Sequence, residues 1–382
     1  MTGLRLEIDL DKVGHNAHEL VERAERRKIS VTAVTKVMLG SPDLARVLCA
    51  AGATALGDSR IENIERMRDA GIEEPMLLLR SPMVSQVERV VEAGTMSANT
   101  EIEVLSALAS AARVSGRVHE VMLMVELGDL REGVMPDKLH ETVRHVLGLP
   151  TLRLRGIGAN LACRNGIEPS IENMGDLSAM VDSVETTFGV EIEIVSGGNS
   201  ANLEWALGSS IPDRINNLRL GESVLLGREP LHRCPIPGLH TDSFGLVAEA
   251  IESNRKPTKP WGRSGQNSFG ENPETEDRGV IWQTILAVGR QDTDTADLTA
   301  PLGVEILAAS SDHLIVQTRD RMSPGEEIRF EPGYSALLRS MTSPFVAKGP
   351  APHRSLTAKA PTRSSVRRQA PVAVDDPVTA GP

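Results

Sequence analysis

The stretch ISVTAVTKVMLG, residues 29–40, sets Lys36 directly after seven residues that alternate as a strand does. An amine in that place either snorkels, with a buried stem and a wet ammonium, or forms an imine with an aldehyde. Two other stretches bear on the choice. SGGNSANLEWAL, residues 196–207, puts Ser196, Gly197, Gly198, Asn199 and Ser200 between a strand-like and a helical run, and LRLGES, residues 218–223, repeats the arrangement around Gly221. Both free backbone N–H groups at the head of a helix, where an anion is favoured. The bland alternative is two glycine turns without a ligand. A phosphate held by the paired loops, with a lysine on the same face, points instead to a phosphorylated cofactor.

Those residues need elements to hold them. Strand-like runs fall at 29–35, 53–59, 75–81, 95–99, 119–127, 152–162, 191–198 and 215–221. Between them DLARVLCAAG, IENIERMRDAG, VSQVERVVEAG and EVLSALASAARVSG carry apolar residues at helical spacing and end in glycine. Eight strands alternating with helices predict a closed (β/α)8 barrel over 29–229, an α/β fold with its chemistry at the C-terminal strand ends. Those ends carry Lys36, Asp58 with Ser59, Arg80, Asn99, Glu126, Asn160, the run 196–200 and Arg219. Asp58, Arg60 and Glu62 serve equally as substrate ligands or as a helix cap with surface ion pairs.

The barrel is preceded by a strand and an amphipathic helix in 1–28, and strands from the far end of the chain are candidates to pair with that first strand. After Gly227 the texture changes to β-like runs separated by Gly, Pro and Asp, which predicts an all-β domain over 230–347. Residues 254–279 read as one long polar loop. The segment 348–382, rich in Ala, Pro, Ser, Thr and Arg, reads as a disordered tail.

Charge and composition exclude other roles. The net charge is −11, and residues 351–382 carry five basic and two acidic residues, which leaves about −14 on the rest. An acidic body with five Phe, three Trp and one Tyr lacks the charge and the stacking platforms for nucleic acid. No apolar run is long enough to span a membrane, and no leader precedes LRLEIDL, so a cytoplasmic location is expected. Cys49, Cys163 and Cys234 show no disulfide or zinc spacing, and His140, His145 and His232 lack metal partners, so no metal is expected. Cys163 reads as a small buried hydrophobe.

Taken together, VTAVTK, the Gly-x-x-Arg loop at the fifth strand, Asn-Ser after the seventh and Arg-x-Gly after the eighth resemble the alanine racemase-like, fold-type III pyridoxal phosphate enzymes. GDSRIENI, LLLRSPM, MVELGDLREG, GIGANLAC, NNLRLGESVLLGRE, AVGRQD and SSDHL resemble the ornithine racemase branch most, over residues 4–347. The resemblance implies a homodimeric amino-acid racemase with shared active sites, acting on ornithine or another cationic amino acid. Lys36 would hold pyridoxal phosphate as an internal aldimine and transfer one proton. Ser200, the Gly221 backbone and Tyr334 would bind the phosphate, with Ser196, Gly197, Asn199 and Glu222 alongside. Arg219 would face the pyridine nitrogen, with Glu222 as the alternative. A guanidinium has donors and no acceptor, so that nitrogen would stay unprotonated, which suits α-proton exchange.

Three positions depart from the family pattern. Asn160 stands where alanine racemases stack a histidine. Met124 stands where many relatives keep a carboxylated lysine. The partner's tyrosine base, in a Gly-Tyr-Ala-Asp run, is replaced by Gly289-Arg290-Gln291-Asp292. Asp292 is then the expected second proton carrier, with Asp312, His313 and Ser311 as substitutes. Arg131 would act near the cofactor hydroxyl and substrate carboxylate, and Arg290, Ser311 and Asp312 would meet the substrate. A decarboxylase of the same fold and a non-catalytic pyridoxal phosphate carrier are the alternatives. The carrier lacks a second domain.

Overall fold

Residues 3–208, 214–272 and 275–351 are described by a computed structural model. The chain begins with β1 (Arg5–Ile8) and α1 (Leu10–Glu25). Asp9 caps α1 by accepting from the Lys12 N–H, and Val13, Ala17, Leu20, Val21 and Ala24 bury one helical stripe. Eight parallel strands follow: β2 (Ser30–Val34), β3 (Ala55–Asp58), β4 (Met76–Leu78), β5 (Met96–Asn99), β6 (His119–Val125), β7 (Leu152–Ala159), β8 (Ile194–Ser196) and β9 (Asn217–Leu220). They close into a barrel in that order, and each lies inside one of the eight ranges expected from the sequence.

Helices α2 (Pro42–Ala50), α3 (Ile61–Asp69), α4 (Val87–Glu92), α5 (Ile102–Val114), α6 (Leu139–Leu147), α7 (Ile171–Phe188), α8 (Leu203–Leu207) and α9 (Glu222–Leu226) connect or follow the strands. In α5 the buried residues are Leu105, Leu108, Ala109 and Ala112, the 3–4 spacing of one face. Burying each such leucine is worth about 2 kcal/mol.

The weakest seam of the barrel lies between β8 and β9, where Ser196 and Asn217 are the single paired register. Side chains reinforce it. The Asn217 carboxamide accepts from the Ser196 hydroxyl at 2.7 Å and donates to Ser30 Oγ and Thr32 Oγ1, each at 3.1 Å. One buried residue therefore links the seventh, eighth and first barrel strands.

A second sheet follows, made of β10 (Phe244–Pro257), β11 (Val280–Leu286), β12 (Leu298–Thr299), β13 (Val304–Ala309), β14 (Leu314–Thr318) and β15 (Glu327–Pro332) in the order β12-β15-β10-β11-β14-β13. The expected β domain is present, and it also carries α10 (Tyr334–Thr342), which buries Ala336, Leu337, Ser340 and Met341. Two expected bounds need correction here. The polar loop is shorter than 254–279, because Asn254–Pro257 pair with Val280–Gln283 across β10 and β11. The tail does not begin at 348, because β16 (Ala347–Pro350) pairs in parallel with β1, which also pairs with β10. The first and last described strands thus pair, as the sequence allowed. The rest of the expected tail, 352–382, lies outside the described residues. Among the described residues no helix is long and apolar enough to cross a membrane.

Between β5 and β6, Asn99 Nδ2 donates to Ser97 Oγ at 2.9 Å, so the Ser97 proton is left for His119 Nε2 at 2.8 Å. That needs a neutral imidazole, and burial holds His119 down at about 4. Between the ordinary value of 6.5 and about 4, the unfolded chain takes up a proton that the folded chain refuses. Stability should therefore be intact above pH 6.5 and fall by about 3 kcal/mol as the pH drops to 4. Melting temperatures of wild type and His119→Gln across that window check this: the variant should show a flatter profile, and parallel profiles would contradict it.

Candidate active site

A cavity of about 720 Å³ opens at the C-terminal strand ends, and Lys36, Arg131, Asn160, Asn199, Ser200, Arg219, Gly221, Glu222 and Tyr334 all line it. Lys36 starts a short 3-10 turn, Lys36–Met38, directly after β2. The preceding Thr35 donates its hydroxyl to Asp58 Oδ2 at 2.8 Å. Asp58 is fully buried and also accepts from Asn63 Nδ2 at 2.9 Å and the Arg60 N–H at 3.0 Å. Burial raises its carboxyl above the usual range, against the pull of these hydrogen bonds. Asp58 thus anchors the turn that presents Lys36.

Tyr334 comes from the second sheet's helix. Its ring centroid lies 5.6 Å from Lys36 Nζ, within cation–π range. Asp297 fixes that helix start: its Oδ2 accepts from the N–H groups of Ser335 at 2.7 Å and Ala336 at 3.0 Å. A Cβ on Gly333 would lie 2.2 Å from the Asp297 carboxylate, so glycine is required before Tyr334.

At the seventh and eighth strand ends Ser200 Oγ accepts from the N–H groups of Gly221 and Ser223, both at 3.2 Å, with the Ser223 hydroxyl 3.0 Å away. Two hydroxyls and two backbone donors converge there. Gly198 has φ +140°, and a Cβ on it would sit 2.0 Å from the Asn202 carboxamide, which donates to the Gly197 carbonyl at 2.8 Å. The glycine pair therefore lets the loop close around Asn202.

Arg219 is buried, and its guanidinium donates to Ser196 Oγ and, at 2.6 Å, to the Ala159 carbonyl. Burial lowers it to about 10, so it is still charged at neutral pH. Asn160 accepts from Asn199 Nδ2 at 3.1 Å, and its own buried Nδ2 has no partner. An orphaned donor, a donor-only cation, a multi-donor cradle and an amine around one cavity fit the ring, nitrogen, phosphate and aldehyde of pyridoxal phosphate. Glu222 pairs with Arg233 at the rim, which draws it away from the role of ring-nitrogen partner.

The loop after β6 is built by two carboxylates. Glu126 accepts from the N–H groups of Gly128 at 2.7 Å and Leu130 at 2.9 Å. Buried Asp129 accepts from the N–H groups of Cys163, Arg164 and Asn165 at 3.0–3.1 Å. The loop presents Arg131, which pairs with Glu132. The same clamp corrects the reading of Cys163, which is exposed, lines the cavity and receives a weak hydrogen bond from Asn199 Nδ2 at 3.5 Å.

Six expected residues do not line this cavity. Ser196 instead bonds Arg219 and Asn217 through its hydroxyl, and the Gly197 carbonyl accepts from Asn202. Asp292 is 4% exposed; its carboxylate accepts from the Gly289 N–H at 3.1 Å and the Ser343 hydroxyl at 3.4 Å, tying a turn to the end of α10. That employment contradicts the expectation of a free proton carrier. Arg290 pairs with Glu271 at 3.0 Å and stacks on Phe269 at 4.1 Å. Ser311 and Asp312 lie on the same rim, where Gln291 N–H donates to the Ser311 carbonyl at 3.0 Å and Asp312 Oδ1 meets His313 Nδ1 at 2.9 Å. The cavity instead includes Arg60, Arg80, Ser81, Cys163 and Arg233, to which the sequence reading gave no firm role there.

The family model for the alanine racemase N-terminal domain matches residues 8–229. The chain is 38% identical to the ornithine racemase of Acetoanaerobium sticklandii, over 90% of this chain and 98% of that protein. It is 40% identical to the lysine racemase of Thermotoga maritima, over 90% and 97%. In fold it is similar to the alanine racemase of D-cycloserine-producing Streptomyces lavendulae, with a TM-score of 0.70 at 20% identity over 91% of this chain and 97% of that one.

Loss of the Asp297 cap should loosen Tyr334 as well as cost stability. Asp297→Ala is expected to lower stability by about 1 kcal/mol and to raise the pyridoxal phosphate concentration needed for half-saturation. A cofactor titration followed by absorbance checks the second part; unchanged half-saturation would show that the cap does not position Tyr334.

Proposed function

We propose, from the premise that this chain belongs to the alanine racemase family, that it interconverts the mirror-image forms of a cationic amino acid, ornithine or lysine, with pyridoxal phosphate as cofactor. One observation carries the reading: an amine, a phosphate cradle and a buried donor-only cation share one barrel mouth. The 38% and 40% identical relatives are an ornithine and a lysine racemase, which supports the substrate class.

The chain is an amino-acid racemase. Pyridoxal phosphate, when bound, draws electrons from the α-carbon of an attached amino acid and makes its hydrogen acidic. Ser200 and the N–H groups of Gly221 and Ser223 hold the phosphate. Lys36 Nζ takes the aldehyde end and carries one α-proton. Arg219 stays charged and offers donors but no acceptor, so it would face the cofactor's ring nitrogen without protonating it and would limit electron withdrawal by the ring. That favours simple return of a proton. Decarboxylases of this fold present a carboxylate at that point, and here Glu222 is engaged by Arg233.

Racemisation needs a second proton carrier on the other face of the α-carbon. With Asp292 buried, Cys163 takes this role: it lines the cavity on the sixth barrel strand end, across the mouth from Lys36 on the first. The substrate's distal ammonium needs a carboxylate. Asp312, exposed beside Arg290 and Ser311, supplies one if the enzyme is a homodimer in which the rim of one copy covers the cavity of the other.

In heavy water the wild type should racemise ornithine or lysine and incorporate deuterium at Cα, and Lys36→Ala should do neither. Exchange retained by Lys36→Ala would remove that residue from the mechanism. Cys163→Ala should racemise at least about 100-fold more slowly while one enantiomer still exchanges its α-hydrogen through Lys36. Racemisation by Cys163→Ala at the wild-type rate would transfer the second proton to the rim, with His313→Ala then showing the loss.

A further inference from the structure

Six cationic side chains line the cavity: Lys36, Arg60, Arg80, Arg131, Arg219 and Arg233. Four have partners or assigned work. Lys36 is the reactive amine, Arg219 is bonded to Ser196 and Ala159, Arg131 pairs with Glu132, and Arg233 pairs with Glu222. Arg60 is exposed at the head of α3. Arg80 differs from all of these. It is half-buried, lines the cavity, and has no hydrogen-bond or ion-pair partner among the described residues.

Its neighbour is in the same condition. Ser81 also lines the cavity, and its buried hydroxyl has no hydrogen-bond partner. A buried donor left unmade costs stability, as does an unpaired guanidinium partly withdrawn from water. Two adjacent donors unsatisfied at one wall of a reaction cavity describe a subsite for an anion.

The order of the barrel says which anion. The phosphate cradle occupies the seventh and eighth strand ends, and Lys36 the first. Arg80 and Ser81 follow β4, the third barrel strand, on the opposite arc of the mouth from the cradle. A substrate joined near Lys36 therefore extends away from the phosphate and toward this wall. We propose that Arg80, assisted by Ser81, binds the α-carboxylate of the amino-acid substrate. Arg131, expected from the family resemblance to do this, already has its charge met by Glu132. The assignment rests on the racemase reading and deepens it.

The test compares wild type, Arg80→Gln, Arg80→Lys and Arg131→Gln as holoenzymes. Because Arg80 has no internal partner to lose, Arg80→Gln should keep the wild-type melting temperature and cofactor absorbance. Its KM for ornithine or lysine should rise about 30-fold, the scale of one lost charge-assisted pair, with a smaller change in kcat. Arg80→Lys should recover part of the loss. Calorimetric binding of propionate, a carboxylate with no amine, should be present in wild type, absent in Arg80→Gln and retained in Arg131→Gln. Equal propionate binding by wild type and Arg80→Gln, or a KM loss found only in Arg131→Gln, overturns the assignment. The two failures are distinct. A wild type that exchanges no α-hydrogen defeats the racemase reading, whereas an active wild type with Arg80→Gln unaltered defeats the Arg80 assignment alone.

Discussion

Closure of the barrel between its seventh, eighth and first strands is the constraint on which the site depends. The β8–β9 seam has one paired register, and the Asn217 carboxamide ties it to the first strand with three side-chain hydrogen bonds of about 1 kcal/mol each, one to Ser196 across that seam and two to Ser30 and Thr32 across the next. The register this enforces sets Thr32 opposite Arg219. Lys36 lies four residues beyond Thr32, and the Ser200–Gly221 cradle sits at the same rim. An amine, a buried guanidinium and a cluster of hydroxyl and backbone N–H donors therefore arrive together because one seam is closed in one register.

The second sheet completes that mouth. It cannot be an independent appendage, because β1 is shared between β10 and β16 and because α10 reaches over to place Tyr334 against Lys36. Carboxylates act throughout as anchors. Asp58 holds the turn before Lys36, Asp297 holds the helix before Tyr334, and Asp129 holds the segment that carries Cys163. Each of these acids accepts several backbone or side-chain donors, so none of the three pairs with a cation of the cavity.

The barrel was legible in the sequence because parallel strands buried on both faces appear as short continuous apolar runs, and helices between them keep their own period. Lys36, Ser200, Arg219 and Gly221 stood out because each lies at the C-terminal end of such a run or within a few residues of it. What failed depended on distant partners. Asp292 looks like a free carboxylate until Ser343, 51 residues later, is seen to bond it. Cys163 looks like core until Asp129, 34 residues earlier, is seen to clamp its backbone and leave the thiol in the cavity. Arg80 was read only as a polar strand end, because lacking a partner is a property of the folded molecule alone. The helix at 334–342 was missed because nine residues between two strand-like runs offer little more than two helical turns of pattern.

Borohydride reduction of the holoenzyme, followed by peptide mapping, tests the central claim most directly. A pyridoxyl label confined to the peptide that contains Lys36 is the result required here. A label elsewhere, or none on a protein that has bound the cofactor, would contradict it.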